Sequence, residues 1–469
     1  MAKRLLITGG AVVSVDPKIG DLRRGDVLVD GDTISEVAES VSADDCEVID
    51  ATGMVVMPGL VDSHRHLWQT GTRADSIDHV FWDLVASQWP KIAAHYSAED
   101  VYASVLAGAA DALDAGVTTV LDWCHVVNTP EHLEENLRAL REVGIRSRLL
   151  YGASMSRKLH EYEGEVEHED SWAHARQIRE REFASDDGLI TYGFAVQGPD
   201  VTTMEITADD IAAARELDLP VGFHVGAPQG PPPKLSIKRL AEAGLLGPDM
   251  NFSHCCDSTD EELRLLADAG GVATACPSID MAFGMGVPAT GRMRDAGLRA
   301  AVGVDSVIAA SGDLFEEARV GLLYERMRRA EAVYETGIDV KSVDQLAFTT
   351  REALESVTIN GAHAMWLGDQ VGSLTPGKKA DVILLRGNDL NLIPLSDVVG
   401  TLIGCASRGN VDTVLVGGNV VKRDGKLVGI DVDRIRSLFV EARDRLFGYD
   451  SYPGMRPPAV QKAVGVSED

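Results

Sequence analysis

What this chain of 469 residues lacks narrows it first. No apolar run reaches the roughly eighteen residues that a membrane span needs, so no membrane partner is expected. Positive charge is scarce: 44 Lys and Arg stand against 73 Asp and Glu, a formal net charge of −29. So acidic a surface repels phosphate backbones, which argues against nucleic acid as a partner. Cysteine is sparse and scattered (Cys46, Cys124, Cys255, Cys256, Cys276, Cys405), with no spacing that suggests a disulfide framework. Met1-Ala-Lys-Arg-Leu-Leu-Ile runs into a Gly9-Gly10 turn without the pattern of a cleavable signal. A reduced, cytoplasmic protein is expected. With 45% hydrophobic and 25% charged residues the composition is globular, and disorder along the whole chain is excluded.

The length suggests two or three domains, and the two ends read differently from the middle. Residues 1–57 give short strand-like runs broken by Gly and Asp turns, and residues 369–430 repeat that texture. Two all-β pieces this far apart can pair into one small composite β-sandwich, which makes the middle an insertion. Across residues 58–368, apolar β-branched runs end near Val61, Leu121, Leu150, Val196, His224, Phe252, Ala275 and Val304. They alternate with helical stretches such as Ser97–Ala115, Pro130–Val143, Thr207–Leu217, Thr259–Ala269 and Leu314–Ala330. Continuous apolar strands alternating with helices predict a parallel sheet covered by helices, and eight of them fit a (β/α)8 TIM barrel. The acidic stretch Glu161–Glu182 reads as a solvated insertion after the third strand, and residues 431–469 as a terminal helix and tail.

A barrel places its chemistry at the C-terminal ends of its strands. His64 and His66, two residues apart on one face, close the first strand. His125 closes the second, Gln197 the fourth, His224 the fifth, His254 the sixth and Asp305 the eighth. Each alone is weak, since His-x-His occurs by chance and a strand-end His is more often structural. Jointly they fall where one fold requires them. Three imidazoles plus a carboxylate suit Zn2+, or Fe2+, with room for a water whose pKa the metal lowers. Asp305 can then act as general base, and His254 can polarise a developing oxyanion.

Pro58-Gly-Leu-Val-Asp-Ser-His-Arg-His66, His224, Ser253-His254-Cys255, Gly303-Val304-Asp305 and Thr375-Pro-Gly-Lys-Lys-Ala-Asp381 together resemble the amidohydrolase superfamily over nearly the whole chain. The resemblance implies a TIM barrel with a composite sandwich. Binuclear members usually carry a carboxylated Lys at the end of strand four, and Leu189–Asp200 contains none, so one metal per chain is expected. The similarity is greatest to the mononuclear branch of cytosine, guanine and adenosine-derivative deaminases and triazine hydrolases. It implies His64, His66, His224 and Asp305 as metal ligands, with Asp305 also moving protons. A homodimer or higher homo-oligomer is likewise implied.

The chain departs from that branch at one point. Where most of its deaminases have His-x-x-Glu, this sequence reads His224-Val-Gly-Ala227, and alanine cannot move a proton. His125, His254, Asp257 and Asp200 are the candidates to replace that Glu. Deamination of a small heteroaromatic ring leads. The same metal–water chemistry on a cyclic or linear amide, or on a ring halide, is the alternative, and a non-catalytic scaffold the second.

For a small-molecule substrate, Trp68, Gln69 and Arg73 in the first loop are candidate contacts, with His125 and Gln197. Against this, Trp68, Trp82 and Trp89 can simply pack a loop helix, and Arg73 can form a structural ion pair. Met281, Phe283 and Met285 could line another wall or belong to the core. Gly372–Lys379 nearly matches a phosphate-binding loop, but it lacks the final Ser or Thr and leads into a strand, so it is rejected.

Overall fold

The computed structural model describes residues 4–87, 92–153, 172–227, 233–346 and 348–447. The first five strands, β1 (Arg4–Val13), β2 (Asp21–Asp30), β3 (Thr33–Ala38), β4 (Glu47–Asp50) and β5 (Met54–Pro58), come from the N-terminal end. The central eight are β6 (Leu60–Arg65), β7 (Val117–Val127), β8 (Arg146–Ala153), β9 (Ile190–Val196), β10 (Val221–Val225), β11 (Met250–His254), β12 (Val272–Ala275) and β13 (Ala300–Val302). The last four are β14 (Val382–Arg386), β15 (Val411–Val416), β16 (Asn419–Arg423) and β17 (Lys426–Leu427).

β6 to β13 form one parallel sheet in sequence order. No residue of β6, β7, β9 or β11 is exposed, as expected of strands covered on both faces. The sheet closes where Asp305 N–H donates to the His64 carbonyl (2.8 Å) and His66 N–H to the Asp305 carbonyl (2.7 Å). Gly303 sits in this seam: a Cβ there would lie 2.7 Å from the backbone N and O of His64, so only glycine lets the first and last strands meet. The result is the expected (β/α)8 TIM barrel.

The helices start where their caps dictate. Ser97 and Asp100 form a capping box before Ala98–Asp114, and Thr259 and Glu262 do the same before Asp260–Asp268. The helix expected at Thr207 begins earlier, at Met204, because the Thr203 hydroxyl accepts the Ile206 N–H. That expected over Leu314–Ala330 continues to Glu335, and the terminal helix spans Val432–Phe447. Of the acidic insertion, Ala173–Glu182 is helical and residues 161–171 lie outside the described residues, as do Trp89 and the tail from 448.

Both chain ends contribute to a nine-stranded sheet, ordered β17-β16-β15-β14-β5-β1-β2-β3 with β4 beside β1. It folds back on itself, since Ile34 N–H donates to the Lys378 carbonyl and Gly377 N–H to that of Ile34 (both 2.8 Å). The enclosed core contains Leu5, Ile7, Val27 and Val29 from one end with Val382, Leu384 and Leu415 from the other. β5 runs directly into β6 and pairs with β14, which fixes the barrel's entry strand to the second sheet. Among the described residues no helix is long and apolar enough to cross a membrane.

Candidate functional site

Five predicted side chains converge at the C-terminal mouth of the barrel. One donor atom each from His64, His224, His254 and Asp305 lies within 4.8 Å of the others. His66 joins them: its Nε2 is 3.1 Å from Asp305 Oδ1 and 3.2 Å from His224 Nε2. Neighbours orient these rings from behind. His66 Nδ1 lies 3.0 Å from the Trp123 carbonyl, which can only accept, so that nitrogen carries the proton. In the neutral ring the Nε2 lone pair is therefore aimed at a carboxylate oxygen, acceptor against acceptor. His64 Nδ1 contacts Ser253 Oγ at 2.9 Å, while its buried Nε2 has no hydrogen-bond partner among the described residues. Lone pairs facing one another around a carboxylate are resolved by a cation, and this nitrogen and oxygen donor set fits a divalent transition metal.

The backbone is bent to deliver two of these groups. His254 (φ 73°) and Asp305 (φ 61°) are non-glycine residues in the left-handed region, a conformation of order 1–3 kcal/mol that persists only when the surroundings impose it. Asp305 is imposed by the two barrel-closing hydrogen bonds. His254 is followed by Cys255 (φ 54°), whose N–H donates to the Val225 carbonyl at 2.9 Å.

Burial lowers the pKa of His64 to about 4 and pushes His125 and His224 well below the usual imidazole value, so all three are neutral. Burial opposes ionisation of Asp305 too, but the histidines around it, His64, His66 and His254, outweigh burial and hold it well below the carboxylate range. His254 goes the other way: burial lowers it, and the Asp280 carboxylate 2.8 Å from Nδ1 outweighs burial and raises it. One end of the site thus holds neutral imidazoles and an anion, ligands in their binding states. The other holds a histidine ready to donate to developing negative charge.

A cavity opens above this cluster, lined by two kinds of side chain. His66, His125, Gln69, Gln197 and Asp200 are polar; Phe81, Leu84, Ala227, Phe283, Met285 and Ile308 are apolar. Gln69 Oε1 and His125 Nδ1 are buried without a hydrogen-bond partner among the described residues. Two expected contacts are corrected by the packing. Trp68 is fully buried, edge-on to His125 (5.2 Å) and Tyr96 (5.2 Å). Arg73 lies outside the cavity, its guanidinium 3.0 Å from the Asp111 carboxylate, which also meets Arg408 and Arg65. Trp82 and Met281 are exposed, while their neighbours Phe81 and Met285 face inward.

Sequence reasoning missed Trp123, whose ring centroid is 4.1 Å from that of His224, and Asp280, the partner of His254. Trp123 was findable, two residues before His125 on a strand whose alternate residues share a face. Asp280 carried no signal, being reached through space from a helix 26 residues further along.

The sequence pattern of the Amidohydrolase family matches residues 55–421. The 5'-deoxyadenosine deaminase of Methanosarcina mazei is 26% identical over 452 residues, covering 94% of this chain and 98% of that protein. The 5-methylthioadenosine/S-adenosylhomocysteine deaminase of Halobacterium salinarum is 28% identical, covering 95% and 99%. Among solved structures, a zinc-bound adenosine deaminase from Xanthomonas campestris superposes with TM-score 0.78 at 24% identity, covering 96% of this chain and 99% of that one. The atrazine chlorohydrolase of Arthrobacter aurescens TC1, complexed with zinc, gives TM-score 0.78 at 21% identity, covering 94% and 100%.

Proposed function

Because the chain belongs to the amidohydrolase family, hydrolases of carbon–nitrogen bonds other than peptide bonds, we propose that it deaminates a small amino-bearing heteroaromatic ring at a single metal centre. The observation that carries this reading is the meeting of His64, His66, His224 and Asp305 at one barrel mouth, with His254 beside them. His64, His66, His224 and Asp305 would hold a divalent cation, zinc by preference, which would supply a water of lowered pKa. Asp305, anionic and at the centre, is placed to accept a proton from the attacking water and to return it to the departing amino group. His254, held by Asp280, donates to the oxygen on which negative charge develops. The apolar lining of Phe81, Leu84, Phe283, Met285 and Ile308 suits the flat face of a ring, and Gln69 and Gln197 suit its edge.

The relatives named above bear on the substrate, since both are deaminases of adenosine derivatives. A panel should therefore start with 5'-deoxyadenosine, 5-methylthioadenosine and S-adenosylhomocysteine, then extend to pterins, pyrimidines and triazines. The test is ammonia release across the panel by protein whose metal content has been measured. About one zinc or iron per chain and ammonia from at least one amino-bearing ring are expected. Ammonia from none of them, by protein carrying its metal, would sink the deaminase reading. Two metals per chain would overturn the mononuclear one.

A further inference from the structure

Deamination of a ring with water needs a proton at the ring nitrogen beside the carbon under attack, and Asp305 and His254 are already committed. Among the described residues lining the cavity, the remaining candidates are few. Gln69 and Gln197 are amides and cannot give up a proton. His125 stands edge-on against the proposed ligand His66, ring centroids 4.4 Å apart. Ala227 has no proton to give. The one lining carboxyl left is Asp200, which follows β9 on the loop after Gln197.

Asp200 is 5% exposed and held in a built position. Its Oδ2 accepts the Gly226 N–H at 2.9 Å, and its Oδ1 accepts the Ser236 hydroxyl. Its own carbonyl takes the Lys234 ammonium, and Arg239 donates to the carbonyl of Pro199 at 3.2 Å, which ties the loop down. Gly226 turns in the left-handed region (φ 69°), and a Cβ there would lie 2.8 Å from Asp257 Oδ1. Its N–H therefore reaches Asp200 from a position one peptide away from Ala227. Asp200 and Ala227 both line the cavity.

Resting on the deaminase reading above, we propose that Asp200 is the catalytic proton donor to the substrate's ring nitrogen. The step balances as follows. The water oxygen bonds to the amino-bearing ring carbon while one water proton passes to Asp305 and the Asp200 proton passes to the ring nitrogen. Asp305 gives its proton to the amino group, the carbon–nitrogen bond breaks and ammonia leaves. The hydroxyl proton then goes to Asp305, leaving a ring carbonyl beside a ring N–H. Release of that proton to solvent and uptake of one by Asp200 restore both carboxyls.

The environment suits a carboxyl that must carry a proton. Burial raises its pKa above the usual aspartate value, and the hydrogen bonds from Ser236 and Gly226 and the charge of Lys234 only partly offset this. Glu262 and Asp257 face it as further negative charge, and the buried Cys255 thiol lies nearby. No guanidinium or ammonium among the described residues pairs with its carboxylate oxygens.

The test compares wild type with Asp200→Asn, Asp200→Ser carrying Ala227→Glu, and Ser236→Ala on whichever ring of the panel wild type turns over. Asp200→Asn should lower kcat by about 10²–10⁴-fold, with metal content and melting temperature retained. It should also abolish the alkaline limb of the kcat–pH profile. The second carboxyl in Asp200→Ser/Ala227→Glu should restore at least tenfold over Asp200→Ser. Ser236→Ala keeps the acid but removes a bond to its ionised form, so the alkaline limb should move to higher pH. Activity within threefold of wild type in Asp200→Asn, or a limb that stays put in both Asp200→Asn and Ser236→Ala, overturns the proposal. A wild type that releases no ammonia from any ring overturns the underlying reading, and this one with it.

Discussion

At the N-terminal end of the barrel strands Arg146 and Asp381 face each other as a buried pair, and at the C-terminal end His66 and Asp305 do the same. The first pair is saturated. Asp381 accepts from Arg146 Nε (2.8 Å) and Nη2 (3.1 Å), from Gly417 N–H (2.7 Å) and from the Thr119 hydroxyl (3.3 Å). The second is left incomplete, with the His66 lone pair aimed at the carboxylate and His64 Nε2 unpartnered among the described residues. Both carboxylates are buried, so burial does not separate them; hydrogen-bond satisfaction does. A saturated ion pair ties β8 to β14 and the barrel to the second sheet. An unsaturated one holds donors ready for something that is not protein.

Replacing each aspartate tests that distinction most severely. Asp305→Ala should remove bound metal and cost about 1,000-fold or more in ammonia release, while urea unfolding in chelator stays close to wild type. Asp381→Ala should do the converse. Leaving Arg146 buried and unpaired should cost about 3–5 kcal/mol of stability, with the turnover of the remaining folded protein nearly unchanged. Equal loss of activity in both variants would erase the contrast.

Glu317 sharpens it, because incomplete hydrogen bonding also occurs away from the cavity. Its Oε2 accepts the Ser278 N–H at 3.0 Å while the buried Oε1 has no partner among the described residues. Burial pushes its pKa up to about 8, so the group is a neutral acid in the folded protein rather than a ligand awaiting a cation. The unfolded chain ionises near pH 4.5 and the folded one near 8, so between those values the folded state binds more protons. Stability contributed by this site should therefore fall as pH rises through that window, by on the order of 4 kcal/mol from pH 5 to 8. Glu317→Gln should flatten that slope, matching wild type near pH 4 and exceeding it at pH 8.5, with metal content unaltered. Denaturant midpoints at four pH values measure it.

The strand ends were legible because barrel strands are continuous apolar runs, and a polar residue closing such a run has few other places to be. That reasoning located His64, His66, His224, His254 and Asp305 without any knowledge of how far apart they lie. It failed where the direction of a side chain depends on a loop's winding. Trp68 and Gln69 are neighbours in the short 3-10 helix Leu67–Thr72, and one residue of rotation sends the indole into the core and the amide to the cavity. Arg73 went to Asp111 because that acid, 38 residues further along, is already drawn between Arg65 and Arg408. Pairings of that span leave no periodic trace in a sequence.

A middle case lies between saturated and open, and the effect expected there is smaller. Asp280 is buried behind His254, holding Nδ1 through Oδ1 while its Oδ2 accepts the Cys276 N–H at 3.2 Å. Asp280→Asn preserves shape but not charge, so it should lower kcat about 10–100-fold and leave KM nearly unchanged, read from steady-state kinetics. A change confined to KM would move Asp280 from positioning His254 to shaping the pocket.

Gln69 gives the smallest effect and the cleanest separation of binding from folding. Its backbone N–H donates to the His66 carbonyl at 3.1 Å, which any residue but proline can do, while the side-chain Oε1 is buried without a partner among the described residues. A carbonyl in that state costs the folded protein desolvation that nothing returns until a donor on a ligand arrives. Gln69→Leu keeps the volume and removes the polar group, so the apoprotein should be as stable as wild type or slightly more so. KM for a ring with an N–H edge should rise about tenfold with kcat little changed. Trp68→Phe, one residue earlier, should give the reverse pattern, a stability loss with KM intact, because the indole packs on Tyr96 and His125 and faces no ligand. If Gln69→Leu destabilised the protein and Trp68→Phe raised KM, the two residues would have exchanged places, and facing the cavity would no longer separate function from structure at this end of the barrel.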